Sequence, residues 1–187
     1  MNTSVSPDVS LVQRFVNTTN LEDGIEEFAS PADLRRWLRE GKLLSTREAL
    51  SASDLERAIA VREALRALIA VNSGEPLDPH AHAVLREAAE RSGLTVRFRR
   101  DGSTAVEPVA AGLDGAIGAI LAAAHSAMAS GEWRHLKVCG RDRCRWAFVD
   151  TSKNQSKRWC SMEVCGNRQK SEAFRRRRTG AGDARAG

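Results

Sequence analysis

The sequence of 187 residues lacks a long apolar run. Its most apolar stretch, GAIGAILAAAHSAMA at 115–129, contains a histidine and is shorter than the roughly 20 residues that a membrane span requires. Residues 1–20 have neither a basic start nor a continuous apolar segment, so they do not resemble a secretory signal. These absences predict a cytoplasmic protein.

Common catalytic signatures are also missing from residues 1–133. We find no nucleophile elbow, no phosphate-binding loop and no zinc-protease helix there. The polar residues of FVNTT (15–19) could line a pocket, but they fit the end of a helix and its first loop equally well. The histidines of this part are more typical of packing or surface positions than of a catalytic set: His80, His82 and His125. We therefore predict that the protein is not an enzyme.

Charge is distributed unequally along the chain. Residues 1–133 contain 14 Lys and Arg against 19 Asp and Glu, a net charge of −5. Residues 134–178 contain 14 Lys and Arg against 4 Asp and Glu, a net charge of +10. An acidic body with a basic C-terminal module predicts a polyanionic partner that binds one end of the chain.

The body, 1–133, is predicted to be mainly helical. Capping serines or aspartates, first-turn prolines and terminal glycines delimit helices within 30–41, 51–74 and 77–93, with an Ala-rich helix at about 113–130. One β-hairpin interrupts them at 94–109, turning at Asp101-Gly102. The Gly/Ala-rich tail, 179–187, is predicted to be disordered. The expected fold class is α+β.

All four cysteines lie in the basic module, 134–178, with the spacing Cys139-x4-Cys144-x15-Cys160-x4-Cys165. Two close pairs separated by a hairpin-sized segment are typical of a four-cysteine zinc site. A module this small has little apolar surface, so the metal would supply much of its stability. Because four thiolates fill the coordination sphere, the predicted zinc ion is structural and not catalytic.

Other interpretations of the cysteines are weaker. Disulfides are disfavoured in a cytoplasmic protein, and unrelated core cysteines would not cluster in this way. His135 lies four residues before Cys139 and offers a substitute ligand. Between the pairs we expect a strand with Trp146 and Phe148, a polar turn and a returning segment. Ser161 is placed to cap a final helix that carries Cys165, which describes a treble-clef-like finger.

The residues of this module resemble a known family. RWCSMEVCGNR at 158–168, with the preceding CRWAFVDTSKNQSKR, resembles the CGNR zinc finger, whose tetrad here is Cys165 to Arg168. FVNTTN at 15–20, followed by helices and one hairpin, resembles the ABATE domain that usually precedes this finger in bacteria. Such proteins are described as stress-induced transcription regulators. The resemblance implies a finger that binds DNA and a front domain that senses a ligand.

The basic surface is predicted to bind phosphate groups of DNA. In the tetrad, Gly166 would let the backbone pass close to the sulfurs, and Arg168 suits either a phosphate or a bracing pair with Asp150. The aromatic residues more plausibly fill the finger's core than stack on RNA bases. The candidate nucleic-acid contacts are Lys153, Lys157, Arg158, Arg168, Lys170, Arg175, Arg176, Arg177 and Arg178.

The leading hypothesis is a DNA-binding transcription regulator whose body, 1–133, senses a small molecule or forms a homodimer. The alternative is a zinc-finger adaptor that binds an acidic protein surface or RNA through the same cations. A salt-dependent affinity for duplex DNA favours the first hypothesis, because binding that neutralises phosphates releases counterions.

Overall fold

The computed structural model describes residues 5–45, 49–172 and 175. Within these ranges the helices are α1 (Pro7–Val16), α2 (Pro31–Glu40), α3 (Ala52–Ala70), α4 (Pro79–Ser92) and α5 (Gly112–Ala129). The strands form three antiparallel pairs: β1 (Thr19–Asn20) with β2 (Ile25–Glu26), β3 (Thr95–Phe98) with β4 (Thr104–Glu107), and β5 (Leu136–Val138) with β6 (Ala147–Val149). The C-terminal helix (162–172) opens with the π-helical turn Met162–Gly166. The mainly helical α+β prediction is confirmed.

Local signals place the helix ends where the sequence predicts them. The Ser30 hydroxyl accepts a hydrogen bond from the Asp33 N–H at 3.2 Å, with Pro31 at the first helical position of α2. Ser51 and Asp54 form a reciprocal capping box at the start of α3. Helix α4 ends at Gly93, which takes the left-handed conformation with φ of 59°. These ends depend on contacts within four residues, which is why the sequence specifies them.

Helix α5 lies at the centre of the body, packed against α1 and α4. It is the one described helix that is long and apolar enough to span a membrane, but half of its length is buried inside the fold. Its buried side chains join those of α1 and α3 in the main hydrophobic core: Val9, Val12, Phe15, Val16, Leu65, Ile69, Leu113, Ile117 and Ile120. Its apolar character is therefore that of a core helix.

Gly118 marks a close contact of α5 with the end of α4 and the segment that follows β4. A Cβ atom at this position would lie 2.6 Å from the Cβ of Pro108 and 2.7 Å from the Cβ of Ser92. We expect Gly118→Ala to lower the free energy of unfolding, because overpacking costs about 1–3 kcal/mol and exceeds the gain of up to about 1 kcal/mol in helix propensity. Urea unfolding followed by circular dichroism measures this, and an unchanged or raised midpoint would contradict the close packing.

The short β1–β2 hairpin was not predicted, since strands of two residues leave no periodic pattern. It is held by Arg62 of α3, whose side chain is buried. The Arg62 guanidinium donates to both Glu26 carboxylate oxygens at 2.6 and 2.7 Å and to the Thr18 hydroxyl at 3.2 Å. A buried arginine satisfied in this way fixes the hairpin against α3.

The β5–β6 hairpin, which carries the first cysteines, is packed into the body. Leu136, Val138 and Ala147 are buried in the same core as the helices. The side-chain amide of Asn17, just after α1, donates to the Ala147 carbonyl at 2.8 Å and accepts from the Ala147 N–H at 2.8 Å. Asn17 thus pairs with β6 as a neighbouring strand would. Arg66 of α3 adds hydrogen bonds to the carbonyls of Val16 and Arg145, at 2.6 and 2.8 Å.

Candidate metal centre and basic surface

The first cysteine pair lies on a tight turn that follows strand β5. The Cys139 N–H donates to the Trp146 carbonyl at 2.9 Å. The N–H groups of Cys144 and Arg145 both donate to the Arg141 carbonyl, at 2.8 and 3.1 Å, which curls the chain between the two cysteines. Arg145 then takes a left-handed conformation with φ of 50° as the chain enters β6. The first pair of sulfurs is therefore positioned by backbone hydrogen bonds.

The second pair lies where the returning segment meets the C-terminal helix. The Gly140 N–H donates to the Arg158 carbonyl at 2.9 Å, which holds that segment beside the first turn. Ser161 caps the helix, because its hydroxyl accepts from the Val164 N–H at 3.2 Å and its carbonyl accepts from the Cys165 N–H at 3.0 Å. A cysteine turn, a hairpin and a helix that carries the last cysteine match the predicted treble-clef-like finger.

The four cysteine sulfurs lie within 4.8 Å of one another. The Cys160 sulfur is 3.7 Å from that of Cys144 and 3.6 Å from that of Cys165. Zinc bonds of about 2.3 Å in a tetrahedron separate the sulfurs by about 3.8 Å, so the cluster fits one structural zinc ion. The thiols are free, and these separations far exceed the about 2.05 Å of a disulfide bond.

The protonation of the thiols also favours a cation. A hydrogen bond with Cys144 lowers the pKa of Cys139 to about 5, and the same bond raises the pKa of Cys144. Burial, followed by the negative charge of Cys139, raises the pKa of Cys160 to about 12. The protein alone thus stabilises the Cys139 thiolate and opposes ionisation of Cys144 and Cys160. A divalent cation supplies the positive charge that lets Cys144 and Cys160 ionise beside Cys139.

The aromatic residues pack around the cysteines, as predicted. Phe148 is buried in this cluster, and Trp146 and Trp159 pack partly buried against it. A Cβ atom at Gly166 would lie 2.5 Å from the Met162 Sδ and 3.3 Å from the Trp159 Cδ1. The glycine of the tetrad therefore makes room for two side chains, and the close passage of its backbone beside the sulfurs stays a prediction.

His135 does not join the sulfur cluster. Among the described residues, the group that can hold a metal at this position consists of cysteines alone. His135 lies directly before β5, and its carbonyl accepts a hydrogen bond from the Asp150 N–H at 2.7 Å. Its contribution here is to the hairpin backbone.

The predicted nucleic-acid contacts that fall in the described ranges are all exposed. Three of them lie on the segment after β6, and the Arg158 guanidinium stacks over the Trp159 ring at 5.5 Å. The others lie on or beyond the C-terminal helix. Exposed residues of the predicted set are Lys153, Lys157, Arg158, Arg168, Lys170 and Arg175. Arg176, Arg177 and Arg178 lie outside the described residues, whereas Arg134 and Arg143 are further exposed cations that the prediction omitted.

The other cations of the module form ion pairs within the protein. Each is buried or half-buried and pairs with a carboxylate, two of them with carboxylates of the body. Lys137 pairs with Asp150 at 2.8 Å, Arg145 with Glu75 at 2.7 and 2.9 Å, and Arg141 with Glu22 and, at 3.0 Å, with Glu172. The pairs of Arg145 with Glu75 and of Arg141 with Glu22 attach the finger to the body. Sequence reasoning missed their function because the body partners are far away in the chain.

The predicted bracing pair between Arg168 and Asp150 is wrong. Asp150 is fully buried and accepts hydrogen bonds from the Lys137 ammonium, the Ser152 hydroxyl and the Lys157 N–H instead. Arg168 forms an ion pair with Glu22, in the turn between β1 and β2. Arg168 does brace the finger, but against the body and not against its own hairpin.

Comparison with protein families agrees with this architecture. The family described as "ABATE: Putative stress-induced transcription regulator" matches residues 10–131, well over half of the chain. The chain belongs to this family. The family described as "CGNR zinc finger" matches residues 135–178, which contain the sulfur cluster. Neither family is described as enzymatic, and no individual curated protein matches the sequence significantly. A regulatory role for this ABATE family member and one structural zinc ion in its CGNR finger are thus the supported features.

Proposed function

We propose that the protein regulates transcription by binding duplex DNA through the zinc finger, 134–178. The observation that carries the proposal is that some cations of the finger form ion pairs with carboxylates and others do not. The buried and half-buried cations are paired with carboxylates, whereas six exposed ones form no ion pair within the described part of the chain: Arg134, Arg143, Lys153, Lys157, Arg158 and Lys170. Exposed, unpaired cations on a rigid zinc-bound frame are suited to phosphate groups.

The body, 1–133, is proposed to sense a small molecule or to mediate dimerisation, in a cytoplasmic bacterial protein. A groove of about 740 Å³ between the β3–β4 hairpin and helices α1 and α5 supports the first role. Its walls combine apolar side chains, such as Leu11 and Val106, with His125 and Ser126. This mixture suits a small molecule with both apolar and polar groups. Dimerisation would add a second finger and thereby raise DNA affinity.

The test is a fluorescence anisotropy titration of a mixed-sequence duplex at several salt concentrations. If five cations contact phosphates, the logarithm of affinity should fall with the logarithm of salt concentration with a slope of about −4 to −5. Lys157→Ala should reduce the slope by about 0.9, the share of one phosphate contact. Affinity that does not depend on salt would overturn DNA binding.

Arg86→Ala is the matched control, since it removes an exposed cation from α4 in the body. It should leave the slope unchanged. If it reduces the slope as much as Lys157→Ala does, binding is not localised to the finger. Competition by an acidic polypeptide as effective as competition by unlabelled DNA would favour the adaptor alternative.

A further inference from the structure

Arg168, the last residue of the CGNR tetrad, has a partner in the body. Its Nη1 forms an ion pair with a carboxylate oxygen of Glu22, 146 residues away in the chain. The Arg168 side chain is nevertheless 52% exposed, whereas that of Glu22 is 23% exposed. Arg168 can therefore exchange its partner without unfolding the finger.

The other oxygen of the same carboxylate binds Arg141. Arg141 lies within the first cysteine turn and is only 7% exposed, and its second nitrogen donates to Glu172 at 3.0 Å. The turn itself positions Glu22, because the Glu22 N–H donates to the Asn20 side chain at 3.1 Å. A buried arginine thus holds Glu22 in place beside an exposed one.

We propose that Arg168 is a phosphate-binding residue for DNA, and that Glu22 occupies its guanidinium as an internal competitor. The inference rests on the proposed function. A carboxylate and a phosphate monoanion carry similar charge and accept hydrogen bonds from guanidinium in the same way, so one replaces the other at Arg168. Arg141 retains Glu22 during the exchange. The body thereby lowers the affinity of the finger for DNA. Any displacement of the β1–β2 turn moves Glu22 away from Arg168 and raises that affinity.

The experiment compares full-length, zinc-loaded variants in the duplex titration described above. Glu22→Gln removes the competing charge and should tighten DNA binding about five-fold, the upper range for a partly exposed ion pair. Glu27→Gln is the matched control, because Glu27 is exposed in the same acidic segment and its side chain forms no ion pair in the described chain. The control should change affinity by less than about two-fold, since salt screens an exposed charge that makes no direct contact.

Variants of Arg168 test whether Glu22 changes DNA affinity through this arginine. Arg168→Ala should weaken binding, and Glu22→Gln added to Arg168→Ala should bring no further gain. Equal effects of Glu22→Gln and Glu27→Gln would overturn the inference while leaving DNA binding intact. If no form of the protein binds the duplex, the proposed function fails and this inference fails with it.

A second measurement uses the wild-type protein and needs no substitution. In the wild-type protein, the side-chain Nε–H resonance of Arg168 should shift when the duplex is added, and that of Arg141 should stay near its original position. Saturation of the protein with DNA without a shift of the Arg168 resonance would show that Glu22 is never displaced.

Discussion

Removal of the zinc ion is expected to unfold the finger and to weaken the helical body with it. Structural zinc in small fingers contributes about 10–16 kcal/mol of apparent binding free energy, far more than a core of three aromatic side chains provides. Leu136 and Val138 belong to the body's core, so their hairpin cannot be lost without cost to the helices. Losing one buried leucine costs about 3 kcal/mol or more, which lowers the melting temperature by about 6–12 °C.

The measurement is thermal unfolding by circular dichroism, with metal content followed by atomic absorption. Cys165→Ser should lose the zinc and reproduce the effect of a chelator. His135→Ala is the control, since this histidine stands outside the sulfur cluster and should leave one zinc ion per chain. A Cys165→Ser variant that keeps both its zinc and its melting temperature would refute the metal centre. A body transition unaffected by zinc removal would show instead that the finger and the body unfold independently.

The coupling between finger and body is the feature that the sequence does not show. Cysteine spacing and helix caps act over a few residues, so the zinc site and the ends of α2, α3 and α4 are predictable from local patterns. Asn17 contacts Ala147 across 130 positions, and the partners of Arg168 and Arg145 lie 146 and 70 positions away. A polar side chain that binds a distant backbone group or carboxylate leaves no periodicity in the sequence. The motif FVNTTN is visible in the sequence. Only the fold shows that its Asn17 forms hydrogen bonds with Ala147 of β6.

The net charge of residues 134–178 likewise does not show which cations form long-range contacts. A net charge of +10 in residues 134–178 treats all cations as equivalent, yet the structure separates them into two sets. Lys137, Arg141 and Arg145 are neutralised by carboxylates, and only the exposed cations remain for a polyanion. Burial decides which set a cation joins. Burial depends on tertiary contacts that composition alone cannot specify.

Asp150→Asn is expected to be the most damaging single substitution of a polar residue in the finger. Asp150 is 0% exposed and Lys137 is 8% exposed, and their charged groups are 2.8 Å apart. The substitution leaves a buried ammonium without its counter-charge and directs an amide N–H₂ toward donors. Breaking a buried pair from one side costs about 3–5 kcal/mol, which urea unfolding would detect as a lower midpoint.

Two comparisons separate the lost charge from the lost hydrogen bonds. Ser152→Ala removes only a hydroxyl that donates to Asp150 at 2.5 Å, and should cost about 1 kcal/mol. Adding Lys137→Met to Asp150→Asn removes the unpaired cation and should restore part of the stability. If the double variant is as unstable as the two single losses combined, the charge pair is not the cause.

The dependence on pH gives an independent check of the same pair. Burial opposes ionisation of Asp150, but hydrogen bonds from Lys137, Ser152 and the Lys157 N–H outweigh it and hold its pKa below the ordinary value. A depressed carboxyl pKa in the folded state stabilises the protein above the unfolded pKa of about 4, and this contribution falls as pH drops below that value. The difference in unfolding free energy between wild type and Asp150→Asn should therefore be constant above about pH 5 and shrink below about pH 4. A difference that persists undiminished in acid would mean that packing, and not the ionised carboxylate, accounts for the loss.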